Sequence, residues 1–231
     1  RKFQLECRDF ARDTLGGVAA AIRGLPDSAA RFAATRPMYE AVVRAGFLRR
    51  LIPAPFGGEG GGLVDMAILT EEFYAVDPNV SLTLLATLLG LMPVFLAGNP
   101  AQQRELLAPF LAAEGAPLAS LANSEPGGSA NYAAPPPAAG VRTTARRDGD
   151  EWVIDGRKKW MNGAGWDGRG ADLLCVVCRN ESGPAAEHGV TVIAVPKPAH
   201  GFELLRLIET VGNRAHPAPE FALNGVRVPY D

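Results

Sequence analysis

The chain has 231 residues, room for one large domain or two ordinary ones, each able to bury a core. Its 23 Lys and Arg nearly balance 25 Asp and Glu, so no global field recruits nucleic acid or an anionic membrane. Three cysteines, Cys7, Cys175 and Cys178, are an odd number and too few for a disulfide framework, which favours a reducing, intracellular compartment.

The opening RKFQLECRDFARD reads as an amphipathic helix and lacks the apolar segment of a signal peptide. It has no initiator Met, so a trimmed start is expected. PMYEAVVRAGFLRRLI is a further helix and stops before PAPFGGEGGG. No Lys-Ser/Thr follows those glycines and no Gly-x-Gly-x-x-Gly register follows a strand, so the loop reads as a structural connector. From Leu63, Met66, Leu69, Phe73 and Val76 recur at spacings of three and four, leaving Glu71 and Glu72 toward solvent. Asp77, Pro78 and Asn79 break that helix and cap the next. Val80 to Ala97 is apolar almost to the length of a membrane span. Ser81, Thr83, Thr87, Gly90 and Pro93 interrupt it and no basic anchors flank it, so a buried core helix is expected and no membrane span. Asn99, Pro100 and Gln102 then compose a capping box.

NSEPGGSAN, residues 123 to 131, lies where helical patterning gives way to strands. Its glycines permit close backbone approach and positive φ, while Asn123, Ser124 and Ser129 offer short donors and acceptors. Such a stretch suits a cofactor cradle and equally an ordinary turn. Beyond it, VRTTARRDGDEWVIDGRKKWMNG alternates around the hairpin dipeptide Asp148-Gly149. ADLLCVVCRN with GVTVIAVPK, and GFELLRLIE with PEFALNGVRVP, supply two further strand pairs. The expected class is therefore α+β: an all-α domain over 1–116, then an antiparallel β-barrel or sandwich over 117–231.

Cys175 and Cys178 spell C-x-x-C, but three residues of separation in a strand send side chains to opposite faces. No second pair or His cluster completes a site, so no metal is expected. His188, His200 and His216 stand among Gly, Pro and Ala without a nucleophile partner and read as surface histidines. The absence of a Gly-x-Ser-x-Gly elbow lowers hydrolase readings.

LANSEPGGSAN resembles the flavin-binding segment of the acyl-CoA dehydrogenase family. DGDEWVIDGRKKWMNGAGWDGRGADLLCVVCR is similar to the same family's second signature, in which a strand with Gly and Lys runs into a Trp. PAPFGGEGGGL resembles its Gly-rich loop, and VGNRAHPAPEFALNGVRVPYD the close of its middle domain. Together these motifs cover essentially the whole chain in the family's order.

The resemblance implies FAD as cofactor, held by Leu121, Asn123, Ser124, Gly127, Gly128, Ser129, Trp160 and Asn162. Ser124 matches the hydroxyl residue on the flavin pyrimidine edge. Ser129, with the Gly127-Gly128 backbone, matches the pyrophosphate contact. Trp160 matches the Trp against one face of the isoalloxazine, its plain alternative being a core aromatic at a strand end, and Asn162 stands where the family has a Thr near flavin N5. Three features depart from the pattern: the glycine run is one residue shorter, Ala130 replaces an Asp, and Asn162 replaces that Thr.

The family continues past Val226–Pro229 into a helical bundle carrying the catalytic glutamate, so no catalytic residue is assigned within this chain. An inactive two-domain piece of a longer, homo-oligomeric enzyme is expected. For that parent the resemblance implies α,β-dehydrogenation of an acyl-CoA thioester, with an electron-transfer flavoprotein as electron acceptor. The substitutions at Ala130 and Asn162 leave a flavin oxidase or monooxygenase of the same superfamily as the alternative, and a degenerate non-catalytic relative as a third.

Overall fold

Short polar residues and prolines set the helix boundaries in the first half of the chain. The computed structural model describes residues 1–128, 130, 134, 140–182, 189–197 and 200–230. Its helices are α1 (Lys2–Thr14), α2 (Val18–Ala21), α3 (Ser28–Arg44), α4 (Phe47–Leu51), α5 (Leu63–Tyr74), α6 (Pro78–Ala97) and α7 (Pro100–Leu111). Asp27 accepts from the Ala30 amide at 2.8 Å to cap α3, and Asp77 accepts from Val80 at 2.7 Å to cap α6. The Asn99–Gln102 capping box forms as expected and opens α7. Each such cap is worth about 1 kcal/mol. Gly46, at φ +84°, turns the corner between α3 and α4.

The chain divides into two compact units, one of Arg1–Pro117 with Glu209–Pro217, the other of Leu118–Ile208 with Ala218–Asp231. In the helical unit Phe47 packs against Phe10 and Phe73, with ring centroids 4.8 and 5.0 Å away, the first pair tilted and the second edge to face. Tyr39 is fully buried and its hydroxyl donates to the Pro117 carbonyl at 2.9 Å. By length and composition α6 could cross a membrane, and 56% of its apolar window is buried inside the protein. The Gly-rich connector is pinned by amides of Glu59, Gly60 and Gly61 donating to carbonyls of Arg49, Ile52 and Arg50.

Two expectations in this unit are corrected. Glu72 does not face solvent: it shares the buried face of α5 with Leu69 and Phe73, at helical spacings of three and four. A carboxylate there needs partners, and Arg8 supplies a bidentate contact at 2.7 and 2.8 Å while Gln4 donates at 2.9 Å. His216 is likewise half-buried rather than a free surface residue. Segment Glu209–Pro217 is fastened to the helices by buried Arg31, which donates to Glu209 Oε1 and the Arg214 carbonyl. Asn79 accepts from the Ala215 amide at 2.9 Å, and Thr83 Oγ1 lies 3.0 Å from His216 Nδ1. Burial there pushes the His216 pKa down to about 4. His200 is exposed, whereas His188 lies outside the described residues.

The second unit is one curled sheet of β1 (Ala119–Ala122), β2 (Thr144–Asp148), β3 (Glu151–Lys159), β4 (Leu173–Asn180), β5 (Val190–Pro196), β6 (Phe202–Ile208) and β7 (Ala218–Pro229). The hairpins β2–β3, β4–β5 and β6–β7 are antiparallel as expected. Sheet order is β1-β4-β2-β3-β7-β6 with β5 also on β4, and both β1 and β2 run parallel to β4. The sheet is therefore mixed rather than purely antiparallel, because the β2–β3 hairpin brings the chain back to the end where β2 began, from which β4 runs parallel to β2. Cys175 and Cys178 are both buried in β4, and desolvation pushes each thiol up to about 12. Neither is a thiolate at neutral pH, and among the described residues no cluster of His, Cys, Asp and Glu could hold a metal.

Candidate functional site

Strand β1 was not anticipated, and it places the first site residues. Its short run alternates the buried Ser120 and Ala122 with half-buried Leu121. Ser120 Oγ donates to the Asn162 carbonyl, and Asn162 Nδ2 donates to the Ala119 carbonyl at 2.9 Å. The Asn162 amide is thereby anchored beside β1, which follows from Asn carrying a donor that Thr lacks at this reach. Gly163 permits that approach, since a Cβ there would come within 3.0 Å of Ser120 Oγ.

Trp160 follows β3 directly and is the one non-glycine residue with positive φ, +76°, among the described residues. A bulky side chain in the left-handed region costs of order 1–3 kcal/mol and persists only where its surroundings enforce it. Burial does not explain the conformation, because 56% of Trp160 is exposed. The reading of a core aromatic is therefore set aside. Its amide donates to the Pro219 carbonyl at 3.2 Å, and Lys159 Nζ lies 4.3 Å from its ring centroid. Lys159 also lies 3.7 Å from Glu220, a carboxylate held below its usual range by the Arg206 hydrogen bond above all.

The loop after β1 reaches the same place. The Ser124 carbonyl accepts from the Lys159 amide at 2.9 Å, one residue from Trp160. The Ser124 hydroxyl has no hydrogen-bond partner among the described residues. Gly128 has φ +86°, and among the described residues a Cβ on Gly127 or Gly128 would meet nothing within 4 Å. Packing thus accounts for neither glycine as it does for Gly156, where a Cβ would overlap Thr143. Gly128 sits in the left-handed region that glycine favours, and neither glycine carries a side chain that would keep a ligand from the backbone.

Sequence reasoning missed the pair that organises this loop. Glu125 and Lys158 are both buried, with Nζ 2.9 Å from Oε1. Glu125 also accepts from the Arg142 amide at 2.7 Å, the Thr143 amide at 2.9 Å and the Thr143 hydroxyl at 2.7 Å. Burial alone would raise its pKa, but these donors together hold it below the usual carboxylate range. The signal was present as the Glu of NSEPGG and the first buried Lys of GRKKW, but nothing local links residues 33 apart.

Asn123, Ser124, Gly127 and Gly128 thus follow β1, Leu121 lies within it, Asn162 is hydrogen-bonded to Ala119 and Ser120 at its start, and Trp160 is next to the Lys159 amide that donates to the Ser124 carbonyl. Ser129 lies outside the described residues. An exposed aromatic face, an anchored amide, an unused hydroxyl and open glycine backbone fit a planar heteroaromatic ring with a polar edge and an attached phosphate chain.

Comparison with known proteins gives this geometry a family. Residues 1–114 match the N-terminal domain of acyl-CoA dehydrogenase and residues 120–226 its middle domain. A nitroalkane oxidase of Podospora anserina is 48% identical over 216 residues, 88% of this chain and 50% of that protein. A relative from Mycobacterium leprae, described as a probable acyl-CoA dehydrogenase, is 31% identical over 187 residues, 81% and 45% respectively. The solved structure of an active-site variant of nitroalkane oxidase crystallised with 1-nitrooctane superimposes with a TM-score of 0.92 at 37% identity, covering 99% of this chain and 56% of that one. The chain spans about half the length of the curated relatives it matches. Nitroalkane oxidases and acyl-CoA dehydrogenases are FAD flavoproteins. With both domain models matched in order along nearly its full length, the chain belongs to the acyl-CoA dehydrogenase family.

Proposed function

We propose that the whole protein is an FAD-dependent oxidase acting on a primary nitroalkane, and that the sheet unit supplies part of its flavin site. The observation that carries the flavin reading is Trp160, held exposed in a strained conformation beside the loop of Ser124. An exposed indole face covers one side of an isoalloxazine and excludes water from it. The Ser124 hydroxyl would hold the ring's polar edge, where a hydrogen bond would favour negative charge on reduction. Gly127 and Gly128 let the phosphate chain approach the backbone. Bound FAD supplies a two-electron acceptor and, in an oxidase, the route of those electrons to oxygen.

On this reading the base that removes the substrate proton is sought outside these 231 residues, in the half of the relatives that the chain does not cover. Glu125 is the carboxylate nearest in sequence to Ser124, and it is committed to Lys158 and Thr143. The nitroalkane substrate is supported by identity: 48% to a nitroalkane oxidase against 31% to an acyl-CoA dehydrogenase homologue. The second reading, α,β-dehydrogenation of an acyl thioester with electrons passed to a partner flavoprotein, is favoured by the family models themselves. Oxygen uptake by the full-length protein separates the two. The oxidase reading expects uptake with 1-nitrooctane and none with octanoyl-CoA. Activity with octanoyl-CoA and an artificial electron acceptor, without nitroalkane turnover, would establish the second.

A further inference from the structure

We infer that Glu125 and Lys158 are positioning residues for the flavin, their buried ion pair locking the Ser124 loop onto β3, the strand that leads directly into Trp160. The inference rests on the flavin reading above. Lys158 is fully buried, and its Nζ donates to Glu125, to the Asn123 carbonyl at 3.2 Å and to the Val177 carbonyl at 2.6 Å. One ammonium thus joins both ends of the Ser124 segment to the middle of β4. Glu125 spends its remaining capacity on Arg142 and Thr143, just ahead of β2. Gly156 has no side chain where Thr143 crosses β3, which lets that hydroxyl reach Glu125.

Among the described residues, the other hydrogen bond from the 123–128 loop to a distant element is Ser124 carbonyl to Lys159 amide. The pair is therefore the main tie of this loop, one residue from Ser124 and two from Trp160. A buried ion pair adds little stability over a well-packed apolar pair, and its best-attested use is to specify one geometry. Here the specified geometry is that of the two residues assigned to the flavin's edge and face. Lys159, on the opposite side of β3, completes the arrangement by lying between Glu220 and the Trp160 ring.

The test uses the full-length protein carrying Glu125→Gln, Lys158→Met, both together, or the milder Thr143→Val. FAD is titrated into each apoprotein, reading flavin fluorescence quenching and visible circular dichroism well below the melting temperature. Positioning expects each single variant at the pair to weaken FAD binding at least tenfold and to restore part of the flavin emission that Trp160 quenches. The double variant should be no worse than the poorer single, because either change breaks the same contact. Thr143→Val, which keeps the pair, should weaken FAD about threefold and decides the question if the others do not fold. Wild-type affinity, quenching and dichroism in the variants that fold, with only a lowered melting temperature, would overturn the inference and leave the flavin reading intact. A wild-type protein that binds no FAD would overturn both.

Discussion

A tryptophan that is mostly exposed, yet held at φ +76°, contributes little to the stability of its own fold. Replacing a buried Trp costs about 3–5 kcal/mol. At Trp160 relief of the left-handed strain offsets what little packing is lost, so Trp160→Gly should change stability by no more than about 1 kcal/mol. The same substitution should weaken FAD binding severely. Chemical denaturation and FAD titration of the full-length variant check both halves, and a large stability loss would make Trp160 structural. Ser124→Ala should alter stability by less than about 0.5 kcal/mol, since the hydroxyl has no partner among the described residues. Its flavin should bind several-fold more weakly, the loss of one hydrogen bond worth about 1 kcal/mol, as equilibrium titration would measure. Trp160 and Ser124 could be named as candidates from the sequence because each belongs to a contiguous motif. Glu125 was not, although it lies within the quoted stretch, because its role depends on a lysine that only the sheet brings near.

Among the elements, segment Glu209–Pro217 is where local reading failed most. Its Gly, Pro and Ala content suggests an exposed loop, yet Arg31, Asn79 and Thr83 tie it to the helices. His216 stays neutral in the folded protein down to a pH of about 4, whereas the unfolded chain takes up a proton near the ordinary value of 6.5. The unfolded state thus binds more protons across that window, and stability falls as pH drops from about 6.5 to about 4. His216→Asn should flatten this part of the stability profile, measured by denaturation at a series of pH values. A profile unchanged by the substitution would assign the acid sensitivity elsewhere. On α3, Tyr39→Phe should cost about 1 kcal/mol in the same assay, because it strands the buried Pro117 carbonyl. Helices and hairpins were readable from periodicity, caps and the Asp148-Gly149 turn. Strand β1 was not, since four residues carry too little pattern, and the burial of Glu72 required knowing that α1 would place Arg8 against it.

For the whole molecule, the division into helical and sheet-forming stretches was legible because the hydrophobic period changes near residue 117. The mixed pairing of the sheet was not, because strand order depends on where the β2–β3 hairpin docks rather than on any residue's preference. Substrate class is the least local property of all: the residues proposed for the flavin say nothing of whether a nitroalkane or an acyl thioester is bound. The most direct test is to mix full-length, FAD-loaded protein with 1-nitrooctane or octanoyl-CoA without oxygen and follow the yellow absorbance band. The account predicts that 1-nitrooctane bleaches the band, that octanoyl-CoA does not, and that admitting oxygen restores it rapidly. Bleaching by octanoyl-CoA alone, or no bound flavin to bleach, would contradict it.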